Sequence, residues 1–193
     1  MKEKIWFYAL FAGGVALASS LPVLATTAAT PAMLSNTCNG CHGTDGNSAG
    51  LSNPTIAGLD SNYFDTAMKQ FKSGERPSSI MGRLAKGYND GELKAMADFF
   101  AARKFAAARQ PFDAGKAGQG KVLHDKNCRM CHADGGKSGA NGALAGQWKD
   151  YLHVAIAEFL SGNRKGPEMM TKALTKMTEA DIEALINYYA SQQ

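Results

Sequence analysis

Two short runs hold all the cysteine in this sequence: Cys38-Asn39-Gly40-Cys41-His42 and, ninety positions later, Cys128-Arg129-Met130-Cys131-His132. In each run two thiols three residues apart are followed at once by an imidazole. Thiols so spaced can form thioethers with the two vinyl groups of a haem, and the adjoining histidine can bind the iron from one face. A bare C-x-x-C would also suit zinc, a redox dithiol or, in an oxidising compartment, a disulfide. None of those explains the histidine that closes both runs. Two covalently bound haems c are therefore expected, one on Cys38 and Cys41 with His42 at the iron, the other on Cys128 and Cys131 with His132.

An iron held by one histidine needs a second axial ligand for fast electron transfer. Methionine is a common choice, because its soft thioether favours the ferrous state. Of nine methionines, Met81 in Ser78-Ser79-Ile80-Met81-Gly82-Arg83 is the candidate in the first half, and Met170 is its counterpart at an offset of 89. At an offset of 88 the counterpart is Met169, which stays open as the alternative. Met68, Met96 and Met177 fall at helical spacing and read as core filler. His124 and His153 are rival ligands without a partner in the first half, and read as structural or surface residues. Pro54 stands twelve positions after His42, and Gly142 lies opposite Pro54 at the repeat offset of 88.

The elements that must position these groups occur twice. Offsets of 88 or 89 lay Ala57-Gly58 over Ala145-Gly146, Tyr63 over Tyr151, Phe71-Lys72-Ser73-Gly74 over Phe159-Leu160-Ser161-Gly162, and Glu92-Leu93 over Asp181-Ile182. Each half runs from its motif through a Gly-rich loop, a central helix, a loop holding methionine and a closing helix. Apolar spacing places the central helices near residues 61–73 and 149–161. Asn89-Asp90-Gly91-Glu92 and Thr178-Glu179-Ala180-Asp181 are helix starts close to a capping box. A helix near residues 116–127 opens the second half, and Pro111 keeps a helix from crossing the junction. Strand signals are nearly absent. The expected fold is all-α: two domains, residues 26–105 and 115–193, joined by a linker at 106–114, each packed around its haem.

Residues 1–25 read as a cleaved signal peptide: Lys2 and Lys4, then an uncharged apolar run at 5–17, then Val23-Leu24-Ala25. The run is shorter than the ~20 residues a membrane span needs, so a periplasmic chain with no membrane span after cleavage is expected. The formal charge of +4 is dispersed, with no basic block for nucleic acid.

These positions resemble dihaem class I cytochromes c, which implies that the Pro54 carbonyl accepts from His42, and within them they resemble two groups. Gly46-Asn47-Ser48 and Leu144-Ala145-Gly146-Gln147 are similar to cytochrome c4. Phe71-Lys72-Ser73-Gly74-Glu75, Ile80 through Tyr88, Leu123-His124-Asp125-Lys126, Gly135-Gly136-Lys137 and the final Tyr189-Ala190-Ser191-Gln192-Gln193 resemble the cytochrome subunits of flavocytochrome c sulfide dehydrogenases. That resemblance implies a heterodimer in which an FAD-containing flavoprotein subunit oxidises sulfide and passes electrons singly to this chain. It further implies an external acceptor such as a small cytochrome c or a quinone-linked system. The chain itself would perform no substrate chemistry, although it would be a subunit of an oxidoreductase. The alternatives are a free dihaem shuttle of the cytochrome c4 type serving a terminal oxidase, and a haem enzyme such as a peroxidase, which needs an open iron.

Overall fold

The computed structural model describes residues 28–137 and 139–193. The expected signal segment lies outside them. Among the described residues there is no strand; ten helices follow one another as α1 (Pro31–Asn36), α2 (Asn39–His42), α3 (Ser61–Ser73), α4 (Met81–Ala85), α5 (Asp90–Ala101), α6 (Ala114–Asn127), α7 (Ala133–Gly136), α8 (Lys149–Leu160), α9 (Glu168–Leu174) and α10 (Glu179–Ala190).

Local chemistry sets most of these boundaries. The Asp60 side chain accepts from Tyr63 N at 2.9 Å to start α3, and Gly74 in the left-handed region ends it. Both closing helices begin with a full capping box, Asn89 with Glu92 on α5 and Thr178 with Asp181 on α10. Leu93, Met96, Ala97 and Phe100 recur at helical spacing on α5, and all are fully buried. With Phe64 and Met68 of α3 and Leu34 of α1 they form the first core. In the second half α6 packs along α10, and Leu152, Leu185, Ile186, Tyr188 and Tyr189 form the second core.

The duplication is visible in backbone detail. Gly46 O accepts from Ile56 N (2.8 Å) and Ala57 N (3.1 Å), just as Gly136 O accepts from Leu144 N (2.8 Å) and Ala145 N (3.0 Å). Both glycines have φ in the left-handed region, 81° and 91°, and a Cβ on either would strike a closing-helix ring, Phe100 at 2.8 Å or Tyr189 at 2.9 Å. Only glycine serves there. Asp45 and Asp134, each one residue before its Gly-rich turn tightens, share φ near 54°.

The segment joining the halves is tied down at several points. Ala106 N donates to Asn47 Oδ1 (2.7 Å), Ala108 N to Gly146 O (2.8 Å) and Asp113 N to Asn187 Oδ1 (2.9 Å). Gln110 bonds Gln147 O and Lys149 N. Direct bonds join the halves as well: Trp148 Nε1 to Ser48 O (3.0 Å) and Tyr151 N to Leu51 O (3.2 Å).

Candidate haem sites

In each C-x-x-C-H run a single turn gathers the reactive groups. Cys41 N and His42 N both donate to Cys38 O, at 3.2 and 2.9 Å, and Cys131 N and His132 N donate to Cys128 O at the same two distances. The delivery differs, because Cys38 follows the short α1 whereas Cys128 caps the long α6. The four cysteines form no disulfide with one another; Cys38 and Cys128 are half-buried, Cys41 and Cys131 exposed. Burial pushes the Cys38 and Cys128 thiols above the ordinary value.

Cys38, Cys41, His42 and Met81 line one cavity of about 260 Å³. Phe64 and Met68 supply apolar wall. Tyr151 and Val154 of α8 line it too, so the second half closes part of the first site. His42 Nδ1 lies 2.8 Å from the Pro54 carbonyl, the contact that the class I cytochrome c resemblance implied. A donating Nδ1 leaves the lone pair on Nε2. Burial also holds the His42 pKa below the ordinary histidine value, opposed by the bond to Pro54, which favours the neutral, ligating form.

The second site departs from the first. Buried His132 has no hydrogen-bond partner for Nδ1 among the described residues, and burial lowers its pKa as well. Met170 on α9 is half-buried, with its sulfur 3.8 Å from where a Cβ on Gly166 would stand. Met169 is 59% exposed. His124 is fully buried where α6 crosses α10, with Nδ1 3.1 Å from the Tyr189 hydroxyl. His153 is an exposed partner of Glu183 at 3.2 Å. Neither of them lines the first cavity.

Three polar residues went unnoticed in the sequence. Arg76 lines the first cavity and lies over the Phe71 ring at 4.5 Å. Arg164 lies over Phe159 at 4.4 Å, and its Nη2 donates to the Tyr63 hydroxyl of the first half at 3.0 Å, with Tyr151 also in hydrogen-bond reach. Extending the matched Phe-x-Ser-Gly pieces by two residues aligns Arg76 with Arg164, which was the available signal. Gln147 makes paired bonds to Thr55 that no sequence signal announces.

Comparison with known proteins gives these sites a context. A 172-residue match at 30% identity to cytochrome c4 of Azotobacter vinelandii covers 78% of this chain and 82% of that protein. The chain belongs to the dihaem class I cytochromes c related to cytochrome c4. Its fold overlays reduced cytochrome c4 from Pseudomonas stutzeri with a TM-score of 0.73 at 27% identity, over 84% of this chain and 98% of that one. Residues 115–188 match the family model described as cytochrome c oxidase, cbb3-type, subunit III. A shorter stretch of 68 residues is 48% identical to the cytochrome subunit of sulfide dehydrogenase of Chlorobaculum tepidum, covering 35% of this chain and 61% of that relative.

As a dihaem cytochrome c of this kind the chain binds two haems c covalently and transfers electrons. The first site fits such a group: adjacent thiols on one turn, a neutral imidazole with its outer nitrogen satisfied, and an apolar cavity closed by both halves. Among the described residues no helix is long and apolar enough to cross a membrane.

Proposed function

We propose that this chain is the periplasmic electron-transfer subunit of a sulfide-oxidising enzyme. A flavin-carrying partner subunit would oxidise sulfide and deliver electrons one at a time, and an external acceptor such as a small cytochrome c would take them away. Cys38 and Cys41 would hold the first haem, with His42 and Met81 to its iron; Cys128 and Cys131 would hold the second, with His132 and Met170 to its iron. The observation that carries the reading is the 48% identity to a sulfide dehydrogenase cytochrome subunit. A bound haem iron supplies a reversible one-electron couple. The residues do the rest: thioethers fix the ring, Pro54 O orients His42, the first core and the α8 wall keep water away, and Met81 stands ready to favour the reduced state.

A free shuttle of the cytochrome c4 kind is the second reading, favoured by the longer match to cytochrome c4. Gentle purification from the native host separates the two. A stable complex containing flavin, reduced by sulfide, is expected; a chain that elutes alone and reacts rapidly with a terminal oxidase refutes the subunit reading. For the ligands, Met81→Ala should remove the methionine-to-ferric-iron absorption band of one haem and lower its potential. An unchanged spectrum refutes that assignment.

A further inference from the structure

The peptide plane between Pro54 and Thr55 is held at both ends. Its carbonyl faces His42 Nδ1 at 2.8 Å, and its N–H donates to Gln147 Oε1 at 2.9 Å. Gln147 Nε2 then donates to the Thr55 carbonyl at 2.8 Å. With a backbone donor on one side and a backbone acceptor on the other, the Gln147 amide has only one satisfactory orientation. Gln147 is itself 1% exposed, and its backbone carbonyl takes a bond from Gln110 Nε2 at 2.7 Å. A residue of the second half therefore grips the same planar unit that orients the proximal histidine of the first. The repeat offers no return contact: 88 positions before Gln147 stands Leu59, buried and apolar.

We propose that Gln147 is a positioning residue for His42, acting through the Pro54–Thr55 peptide; this rests on the reading of His42 as an iron ligand. Two effects follow from the geometry. A plane held at both ends cannot swing its carbonyl off the Nδ1 direction. An amide whose N–H is engaged is also a better acceptor at its carbonyl, since hydrogen bonds in series strengthen one another by about 10–30%. A firmer bond at Nδ1 makes the ligating Nε2 more basic, which stabilises the ferric state and lowers the potential of the first haem. Docking of the second half thereby sets an electronic property of the first site.

The test uses the dihaem holoprotein and two variants, Gln147→Met and Gln147→Glu. Gln147→Met removes the acceptor. The Nδ1 proton of His42, followed by NMR, should exchange severalfold faster, and the first haem should become easier to reduce by a few-fold in its ferrous-to-ferric ratio, tenfold being 59 mV for one electron. His132 and the second haem should not change. Gln147→Glu, read at a pH where its carboxyl is ionised, keeps an acceptor at Thr55 N while losing the donor to Thr55 O, so it should slow His42 exchange and move the first potential the other way. A simple packing defect would shift both variants in one direction and would overturn the proposal, as would unchanged His42 exchange in both. A His42→Ala control separates the layers. If it leaves the low-spin spectrum of the first haem intact, the ligand reading fails; if it abolishes that spectrum while the Gln147 variants are silent, the ligand stands and the role of Gln147 falls.

Discussion

Gly120 is the point where α6 meets α10 most closely, and adding one methyl group there should cost more than helix propensity returns. A Cβ on Gly120 would lie 2.0 Å from the Ala184 carbonyl oxygen, 2.5 Å from its carbon and 2.8 Å from Tyr188 Cβ. Two of those atoms are backbone, so no rotamer change relieves the clash. The helices must part until the 2.0 Å approach reaches ordinary contact, which begins at 3.4 Å. That gap would run along a seam holding Ala117, His124, Ala184 and Leu185, all buried, and even a 0.5–1 Å gap forfeits about a quarter to a half of each dispersion well. Overpacking costs about 1–3 kcal/mol as a rule, and a clash with backbone belongs at or above the top of that range. Against it stands a propensity gain of about 1 kcal/mol for Gly to Ala. Gly120→Ala should therefore destabilise the second half by about 2 kcal/mol or more, roughly 8–16 °C in melting temperature for a unit of this size. Gly118, on the exposed side of the same helix, has nothing within 4 Å of its would-be Cβ. Gly118→Ala should stabilise by up to about 1 kcal/mol. Denaturant titration of both holoproteins by circular dichroism checks the pair. A Gly120→Ala variant as stable as wild type would refute the packing argument, and a destabilised Gly118→Ala would refute the propensity argument. Because α6 ends at Cys128, the Soret band of the second haem should also be perturbed in Gly120→Ala alone.

Asp113 and Asp181 should shape the acid limb of stability. The Lys116 N–H holds the Asp113 carboxyl, and the Thr178 backbone then hydroxyl hold that of Asp181, below the ordinary carboxylate value. A carboxyl depressed in the folded state contributes fully above its unfolded pKa of about 3.9, and the contribution is lost as pH falls through that value toward the folded pKa. Asp181→Asn should therefore lower stability near neutrality and flatten the loss on acidification; an unchanged acid limb in denaturation midpoints would contradict this. Arg164→Lys should weaken the tie between halves, because an ammonium cannot span the Tyr63 and Tyr151 hydroxyls as a planar guanidinium does. A bond to a charged group contributes about 1.5–3 kcal/mol, so the two halves should unfold at more widely separated denaturant concentrations, and a single unshifted transition would count against the tie.

The parts of this molecule legible in the sequence are those decided within a few residues. The capping pairs Asn89 with Glu92 and Thr178 with Asp181 announce α5 and α10 because each box closes on itself. The acceptor for His42 came instead from the family resemblance, and the structure places the Pro54 carbonyl 2.8 Å from Nδ1. The choice between Met169 and Met170 was harder for a geometric reason. Neighbouring residues on a helix point about 100° apart, so an uncertainty of one position in the repeat offset decides whether a side chain faces inward or outward. Here Met169 is exposed and Met170 half-buried. His124 looked structural or superficial, and only the crossing of α6 with α10 makes it buried. Arg164 and Gln147 act on Tyr63 and Thr55, 101 and 92 residues away. No local pattern encodes such pairings, because they depend on how two complete halves dock.

Duplication begins with two equal sites, and a carrier with equal sites has no preferred direction for its electrons. Here the inequality comes from few positions. Pro54 gives His42 a carbonyl to hold, whereas Gly142 stands at the matching offset and His132 Nδ1 has no partner among the described residues. Gln147 reaches from the second half to the first, but Leu59 cannot reach back. Tyr151 and Val154 wall the first cavity from outside its own half. Under the proposed ligation, the first iron faces the more basic imidazole and should have the lower potential by that cause. Its wall of apolar groups, by excluding water from the charged ferric state, acts in the opposite sense. The hydrogen bond and the wall from α8 both belong to the first site. Both are thus terms that can separate the two haems, and both depend on how the halves dock.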